Sequence, residues 1–143
     1  LFDSWVGALS PSDYREFVLP HSQSILSALS ELGVPVIHFG TGTAGILELL
    51  HEAGGDVIGV DWRVELGWAW DRIGRDVAIQ GNLDPLLLHA SEATLFRAAD
   101  HVLESAGDSP GHIFNLGHGI LPNTSVERVK ALVEHVHRVT ERS

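Results

Sequence analysis

Gly40-Thr41-Gly42-Thr43-Ala44-Gly45 follows an apolar run, Val34 to Phe39, and leads into a run of helical period. About twenty residues further on, Asp61 closes a second apolar run. A glycine-rich turn opening a helix, with an acid at the next strand end, is the pattern that holds a dinucleotide. The glycines let the backbone approach the pyrophosphate, the helix N-terminus faces the anion, and the acid takes the ribose hydroxyls. A methyl donor built on adenosine uses a similar turn, so NAD and S-adenosylmethionine are the cofactors this pattern would take. A tight βα turn whose acid pairs locally has the same pattern. His118 stands between Gly117 and Gly119. Flanking glycines permit close substrate approach, and an imidazole donates to an anion or relays a proton. A capped loop histidine would look the same. Ser4 offers a hydroxyl to a carboxylate, or serves as a turn residue. Other candidates are weaker. His135 and His137 are two apart on a helix and face different directions. His21, His51, His89 and His101 fall at helical or loop surface positions. There is no His-Glu-x-x-His string and no Cys, so no thiolate metal site or Cys nucleophile exists, and no metal set is assigned. Trp68 and Trp70 are read as packing.

These residues are presented by an alternation of short apolar runs and helical runs. Ser10-Pro11 opens the first helix, with a hydroxyl cap and a proline whose missing N–H costs nothing there. Ile25, Leu29 and Leu32 recur at helical spacing until Gly33, and Pro20 inside the run should kink or divide it. Strands are expected at Val34–Phe39, Val57–Val60, Val77–Gln80 and His112–Leu116. Helices are expected at Ile46–Ala53, Val64–Ile73 and Ser91–Ala106, with turns at Gly40–Gly45, Gly81–Pro85 and Gly117–Gly119. Thr124 with Glu127 reads as a capping box for the last helix, whose buried face is Val126, Val129, Leu132, Val133 and Val136. This is the order of a parallel α/β sheet covered by helices. No linker or low-complexity segment interrupts it. His38, Gly40, Asp61, Gln80, Asn82, Asn115 and His118 cluster just after strands, the edge where parallel α/β proteins bind ligands.

The composition narrows the classes further. The chain has 143 residues, 44% hydrophobic and 20% charged, with a formal net charge of −10. That balance excludes a disordered tail and disfavours a nucleic-acid partner, which requires a basic stripe. No apolar run approaches the ~18 residues of a membrane span. The sequence begins at Leu1 without an initiator Met and without a signal-peptide pattern, as expected of a processed chain or a piece of a longer one.

Several strings carry a specific likeness. Phe2-Asp3-Ser4-Trp5, Val36-Ile37-His38-Phe39-Gly40, Val57-Ile58-Gly59-Val60-Asp61-Trp62, Gln80-Gly81-Asn82-Leu83-Asp84-Pro85 and Asn115-Leu116-Gly117-His118-Gly119 occur in the order of one family. By them the sequence resembles uroporphyrinogen decarboxylase along essentially its whole length. The resemblance implies the carboxyl-terminal portion of a (β/α)8 TIM barrel, since a complete barrel takes about 200 to 400 residues. It implies cofactor-independent removal of carbon dioxide from the four acetate side chains of uroporphyrinogen III, giving coproporphyrinogen III in haem biosynthesis. It also implies a cytoplasmic homodimer without nucleic-acid or membrane partners. Ser4 and His118 match the family's substrate-contacting positions. The arginine-rich loop, the aspartate that holds the pyrrole N–H groups and a cleft tyrosine match nothing in this sequence, so no residue here is assigned as catalytic and the chain alone is expected to be inactive. A related branch transfers methyl groups with zinc held by a His-x-Cys string. His38-Phe39-Gly40 has Gly in the Cys position, which disfavours that branch.

The barrel reading predicts four complete parallel strands and a residual first one in sequential order, whereas a nucleotide domain predicts order 3-2-1-4. It also predicts unpaired strand edges, an apolar concave face around Val36, Ile58, Val77 and Ile113, and self-association of the isolated chain.

Overall fold

The computed structural model describes residues 1–141. Five strands form one sheet: β1 (Phe2–Asp3), β2 (Ile37–Gly40), β3 (Val57–Gly59), β4 (Ala78–Leu83) and β5 (His112–Leu116). They are parallel and lie in sequential order, β1-β2-β3-β4-β5. Parallel neighbours need long crossovers. Helices α1 (Pro11–Phe17) and α2 (Leu19–Ser30) provide the first, α3 (Leu47–Ala53), α4 (Leu66–Ile73) and α5 (Glu92–Ala106) the next three, and α6 (Val126–Thr140) follows β5. This is an arc of a (β/α) barrel. The 3-2-1-4 order of a doubly wound sheet is not the order found.

The strand register fixes which residues meet helices. His38, Ile58, Ile79 and His112 form one cross-strand row. Ile58 and Ile79 are fully buried and join Val60, Trp70, Leu95, Ala99 and Leu132 in the larger core cluster. The Trp70 indole N–H donates to the Val77 carbonyl at 2.7 Å, so this large ring is buried without an orphaned donor. A second cluster, with Val6, Tyr14, Leu26, Val36 and Leu50, lies under the first three helices. The opposite row is Phe2, Phe39, Gly59, Gln80 and Ile113. A Cβ on Gly59 would stand 2.9 Å from Phe39 Cδ2, so only glycine lets the Phe39 ring lie over β3.

Several expectations are corrected. Val36, Ile58 and Val77 are buried, and the apolar groups left open on the concave row are Phe2, 81% exposed, and Ile113, 42% exposed. Alternation along a strand decides this, and consecutive apolar residues hide it. β2 begins at Ile37, after exposed Val34 and Pro35. β4 runs on through Gly81, Asn82 and Leu83, which pair with Phe114, Asn115 and Leu116, so the expected turn begins only at Asp84. The first helical run does divide, as Pro20 leads one to expect, with the break at Val18 and Pro20 in the first turn of α2. Ile25 and Leu32 are exposed, and the buried face of α2 is Leu19, Ser22 and Leu26. The Thr124–Glu127 capping box does not form. Ser125 precedes α6 without a side-chain cap, Thr124 Oγ1 lies 3.2 Å from His89 Nε2, and Glu127 accepts from Lys130 Nζ at 3.0 Å. Val126 and Val133 are exposed, and the buried stripe is Leu132, His135 and Val136.

Candidate active site

The segments that leave β1, β2, β3 and β5 meet at the carboxyl edge of the sheet. Ser4 follows β1 directly and is exposed, and its carbonyl accepts from Thr41 Oγ1 at 2.5 Å. The Gly40–Gly45 turn is in turn tied to β3. Asp61 Oδ2 accepts from the Gly42 N–H at 2.7 Å and Oδ1 from the Arg63 N–H at 3.1 Å. Arg63 Nη1 also donates to Asp61. Asn82 closes the arrangement from β4, donating from Nδ2 to the Asp61 carbonyl at 2.9 Å and the Val64 carbonyl at 2.6 Å. The loop after β5 rests on the same place. Gly117 N–H donates to the Leu83 carbonyl at 2.8 Å, and a Cβ on Gly117 would stand 2.4 Å from the Trp62 backbone nitrogen. Only glycine permits that approach.

His118 is therefore held over the ends of β2 and β3 while its side chain stays exposed. Its ring lies 6.5 Å from Phe39 and 6.2 Å from Trp62, centroid to centroid. Phe39 continues to Phe2 at 5.6 Å in an edge-on contact. An aromatic floor thus runs from Phe2 on β1, two residues before Ser4, through Phe39 to the His118 and Trp62 rings. An exposed imidazole beside such a floor, with an exposed hydroxyl at the same sheet edge, suits a flat, apolar ligand with anionic groups at its rim. The floor is an open concavity. Two hollows, one of about 1070 Å³ beside β5, α5 and α6 and one of about 380 Å³ lined by Phe2, Phe39 and Gln80, are not lined by Ser4 or His118.

The glycine-rich turn and its acid are joined to each other. Asp61 is 2% exposed, with both oxygens occupied by donors from its own chain. Gly42 is left-handed, and a three-residue 3-10 turn (Thr43–Gly45) separates it from the seven-residue α3. This is the locally paired acid, without the open helix N-terminus of a pyrophosphate site. Other polar residues of the edge turn away from the floor. His38 is buried with Nδ1 3.2 Å from the Leu50 carbonyl, and burial pushes its pKa down while that carbonyl opposes the shift. Asp3 lies near Ser22, whose hydroxyl is 3.5 Å away, and near Tyr14, whose pKa is raised by burial and then by Asp3. Asp84 accepts from the Leu86 N–H at 2.9 Å, and Asn115 Oδ1 from the Leu116 N–H at 2.8 Å. Asp61, Asp3 and Asp84 are thus each engaged with their own chain. Among the described residues no three or more His, Asp or Glu side chains gather as a metal site.

Sequence reasoning misses Arg63 here, and the roles of two residues it does name. Asn82, expected in the Gly81–Pro85 turn and among the polar residues of the ligand edge, clamps the β3 loop through its amide. Trp62, named only within a family string, carries Arg63, whose guanidinium carbon lies 4.1 Å from the Trp62 ring centroid. Their sequence signal was a Trp-Arg pair directly after a strand-ending acid.

Comparison with known proteins identifies the family. Residues 1–139 match the uroporphyrinogen decarboxylase family model. A uroporphyrinogen decarboxylase of Sorangium cellulosum is 59% identical over all 143 residues, and one of Carboxydothermus hydrogenoformans is 52% identical over the same length. The chain spans 41% of the length of each. A methyltransferase from Methanosarcina mazei superposes with a TM-score of 0.83 at 23% identity, over 99% of this chain and 42% of that one, which shows a shared fold. With its family strings placed around one aromatic floor at the carboxyl edge of a parallel barrel arc, the chain belongs to the uroporphyrinogen decarboxylase family.

Proposed function

We propose that the protein containing this chain decarboxylates the four acetate side chains of uroporphyrinogen III to give coproporphyrinogen III, without a cofactor, and that Ser4 and His118 hold the substrate. The chain forms the carboxyl-terminal part of a single barrel domain in this reading. The protein is a homodimer in the cytoplasm, with no nucleic-acid or membrane partner. The family match is the main support for the reaction, and no helix here is long and apolar enough to cross a membrane. The observation that supports the site is the exposed His118 ring beside Phe39 and Trp62, at the same sheet edge as the exposed Ser4.

The chemistry explains why such residues suffice on this side. Protonation of a pyrrole carbon makes the ring an electron sink, and the electrons of the breaking C–C bond flow into it as carbon dioxide leaves. Protonation of the exocyclic methylene carbon then completes the methyl group, and the ring carbon gives up its added proton to restore the aromatic pyrrole. A carboxylate facing the pyrrole N–H groups would stabilise the cationic ring electrostatically. The described acids of this edge are engaged elsewhere, so Ser4 and His118 act by orientation: a hydroxyl and an imidazole N–H donate to substrate carboxylates and fix the macrocycle on the floor. For the same reason the 143-residue chain alone is inactive. The test is turnover by the full-length protein. Conversion of uroporphyrinogen to coproporphyrinogen is expected. Absence of turnover together with saturable binding of NAD or S-adenosylmethionine would overturn the reading in favour of a nucleotide site.

A further inference from the structure

Arg63 holds a position unlike that of any other described cation. Arg15, Arg72, Arg97, Arg128, Lys130 and Arg138 lie on helices, and Arg75 follows α4 at the opposite edge of the sheet. Arg63 alone among the described Lys and Arg residues stands between the carboxyl end of a strand and the helix that follows it.

Its surroundings fix the side chain and leave it usable. Asp61 is 2% exposed, but the Arg63 side chain is 53% exposed, so the pair turns its positive end to solvent. Asp61 also accepts from two backbone N–H groups, which share its negative charge. One guanidinium nitrogen, Nη1, serves Asp61. Guanidinium has five N–H donors in a rigid fork, and the others find no partner among the described residues. The guanidinium carbon sits over the Trp62 ring, 4.1 Å from its centroid, and that same indole meets the His118 ring edge-on at 6.2 Å. Stacking and ion pairing remove the rotamer freedom that usually weakens an exposed arginine as a ligand group. One indole thus joins two donors suited to anions, at the edge where the floor lies.

We propose that Arg63 is a carboxylate-binding residue of this site, working beside His118 on the rim carboxylates of a polycarboxylate tetrapyrrole. This rests on the function proposed above. It adds a fixed positive charge to a surface whose other assigned contacts, Ser4 and His118, are a neutral hydroxyl and a titratable ring. A bidentate guanidinium–carboxylate contact also selects for the planar anion, which an ammonium does not reproduce.

The test uses the full-length protein and its Arg63→Gln, Arg63→Lys and Ser4→Ala variants. KM and kcat for uroporphyrinogen are measured across ionic strengths, thermal melting is followed in parallel, and coproporphyrin binding is titrated by fluorescence quenching. Arg63→Gln is expected to raise KM and the coproporphyrin Kd roughly 10–100-fold, with kcat changed far less. It should also flatten the dependence of KM on ionic strength, because a charge contact is screened and a neutral one is not. Arg63→Lys should restore the salt dependence and only part of the affinity. An unchanged KM, Kd and salt dependence in Arg63→Gln would overturn the proposal. So would an equal fall in kcat with a lowered melting temperature and an unaltered salt slope, which would mark Arg63 as a brace for Asp61. If the unsubstituted protein fails to turn over uroporphyrinogen, the functional reading fails. The coproporphyrin titration still decides whether Arg63 binds carboxylates. If turnover and its Ser4 dependence stand while Arg63→Gln behaves as wild type, only the Arg63 assignment fails.

Discussion

Two glycine-rich turns follow strands at the same edge of the sheet, and they do opposite things. In Gly40–Gly45 the polar groups face inward: Gly42 N–H and Thr41 Oγ1 are consumed by Asp61 and Ser4. In Gly117–His118–Gly119 the first glycine is pressed onto Trp62 while His118 is left exposed. Glycine serves close backbone packing in both. What separates a brace from a loop open to a ligand is whether the donors and acceptors beside the glycines are already satisfied by the chain itself.

The strongest way to break this contrast is to remove the acid that locks the first turn. Asp61→Ala in the full-length protein leaves the Gly42 and Arg63 N–H groups without their buried acceptor. It should destabilise the fold by about 3 kcal/mol or more, read from denaturant midpoints at constant m-value. A variant as stable as wild type would show that Asp61 is not the lock. Gly117→Ala comes next. Its Cβ would meet Trp62 N at 2.4 Å, so the backbone must shift, at a cost of roughly 1–3 kcal/mol. Activity should fall with it, because His118 moves too. Gly119→Ala, two residues on, meets no atom within 4 Å and should change stability by less than about 0.5 kcal/mol. Similar melting curves for the two variants would erase the distinction between the packed and the open glycine.

A smaller effect sharpens the comparison between the two histidine environments. Burial lowers the folded-state pKa of His38 and of His112 below the unfolded value of 6.5. The unfolded state therefore binds more protons as pH falls through 6.5, and the stability from keeping these rings neutral is present above that pH. Stability should decline as pH drops below 6.5 and flatten above it, and His38→Asn should make the decline shallower. A melting temperature that rises on acidification from neutral pH would contradict the assignment.

The sequence shows some of this plainly and conceals the rest for definite reasons. The βα alternation and the sequential parallel order follow from short apolar runs separated by helical ones. The length of β4 does not, because Gly81-Asn82 has turn chemistry and only pairing with Phe114 and Asn115 overrides it. The faces of Ile58 and Val77 are unreadable where neighbouring residues are also apolar. Asp61 is the clearest case. An acid at a strand end near a glycine turn has the same spacing whether it grips a ribose or its own backbone, and only the 2.7 Å contact with Gly42 distinguishes them. His118 stands out between its two glycines and Ser4 only as a free hydroxyl, and it is the family strings that turn both from possible loop or turn residues into substrate contacts. The stacking of Arg63 on Trp62 depends on side-chain geometry that no spacing encodes.

The central proposal is that His118, and not the glycine-rich turn before α3, meets the ligand. It is tested most directly by comparing uroporphyrinogen turnover in the full-length protein and its His118→Ala variant, with melting curves of both. An exposed loop residue carries little packing, so the melting temperature should hold. Loss of one hydrogen bond to a charged group should lower kcat/KM roughly 10–100-fold. An unchanged kcat/KM in a properly folded His118→Ala protein would contradict the account.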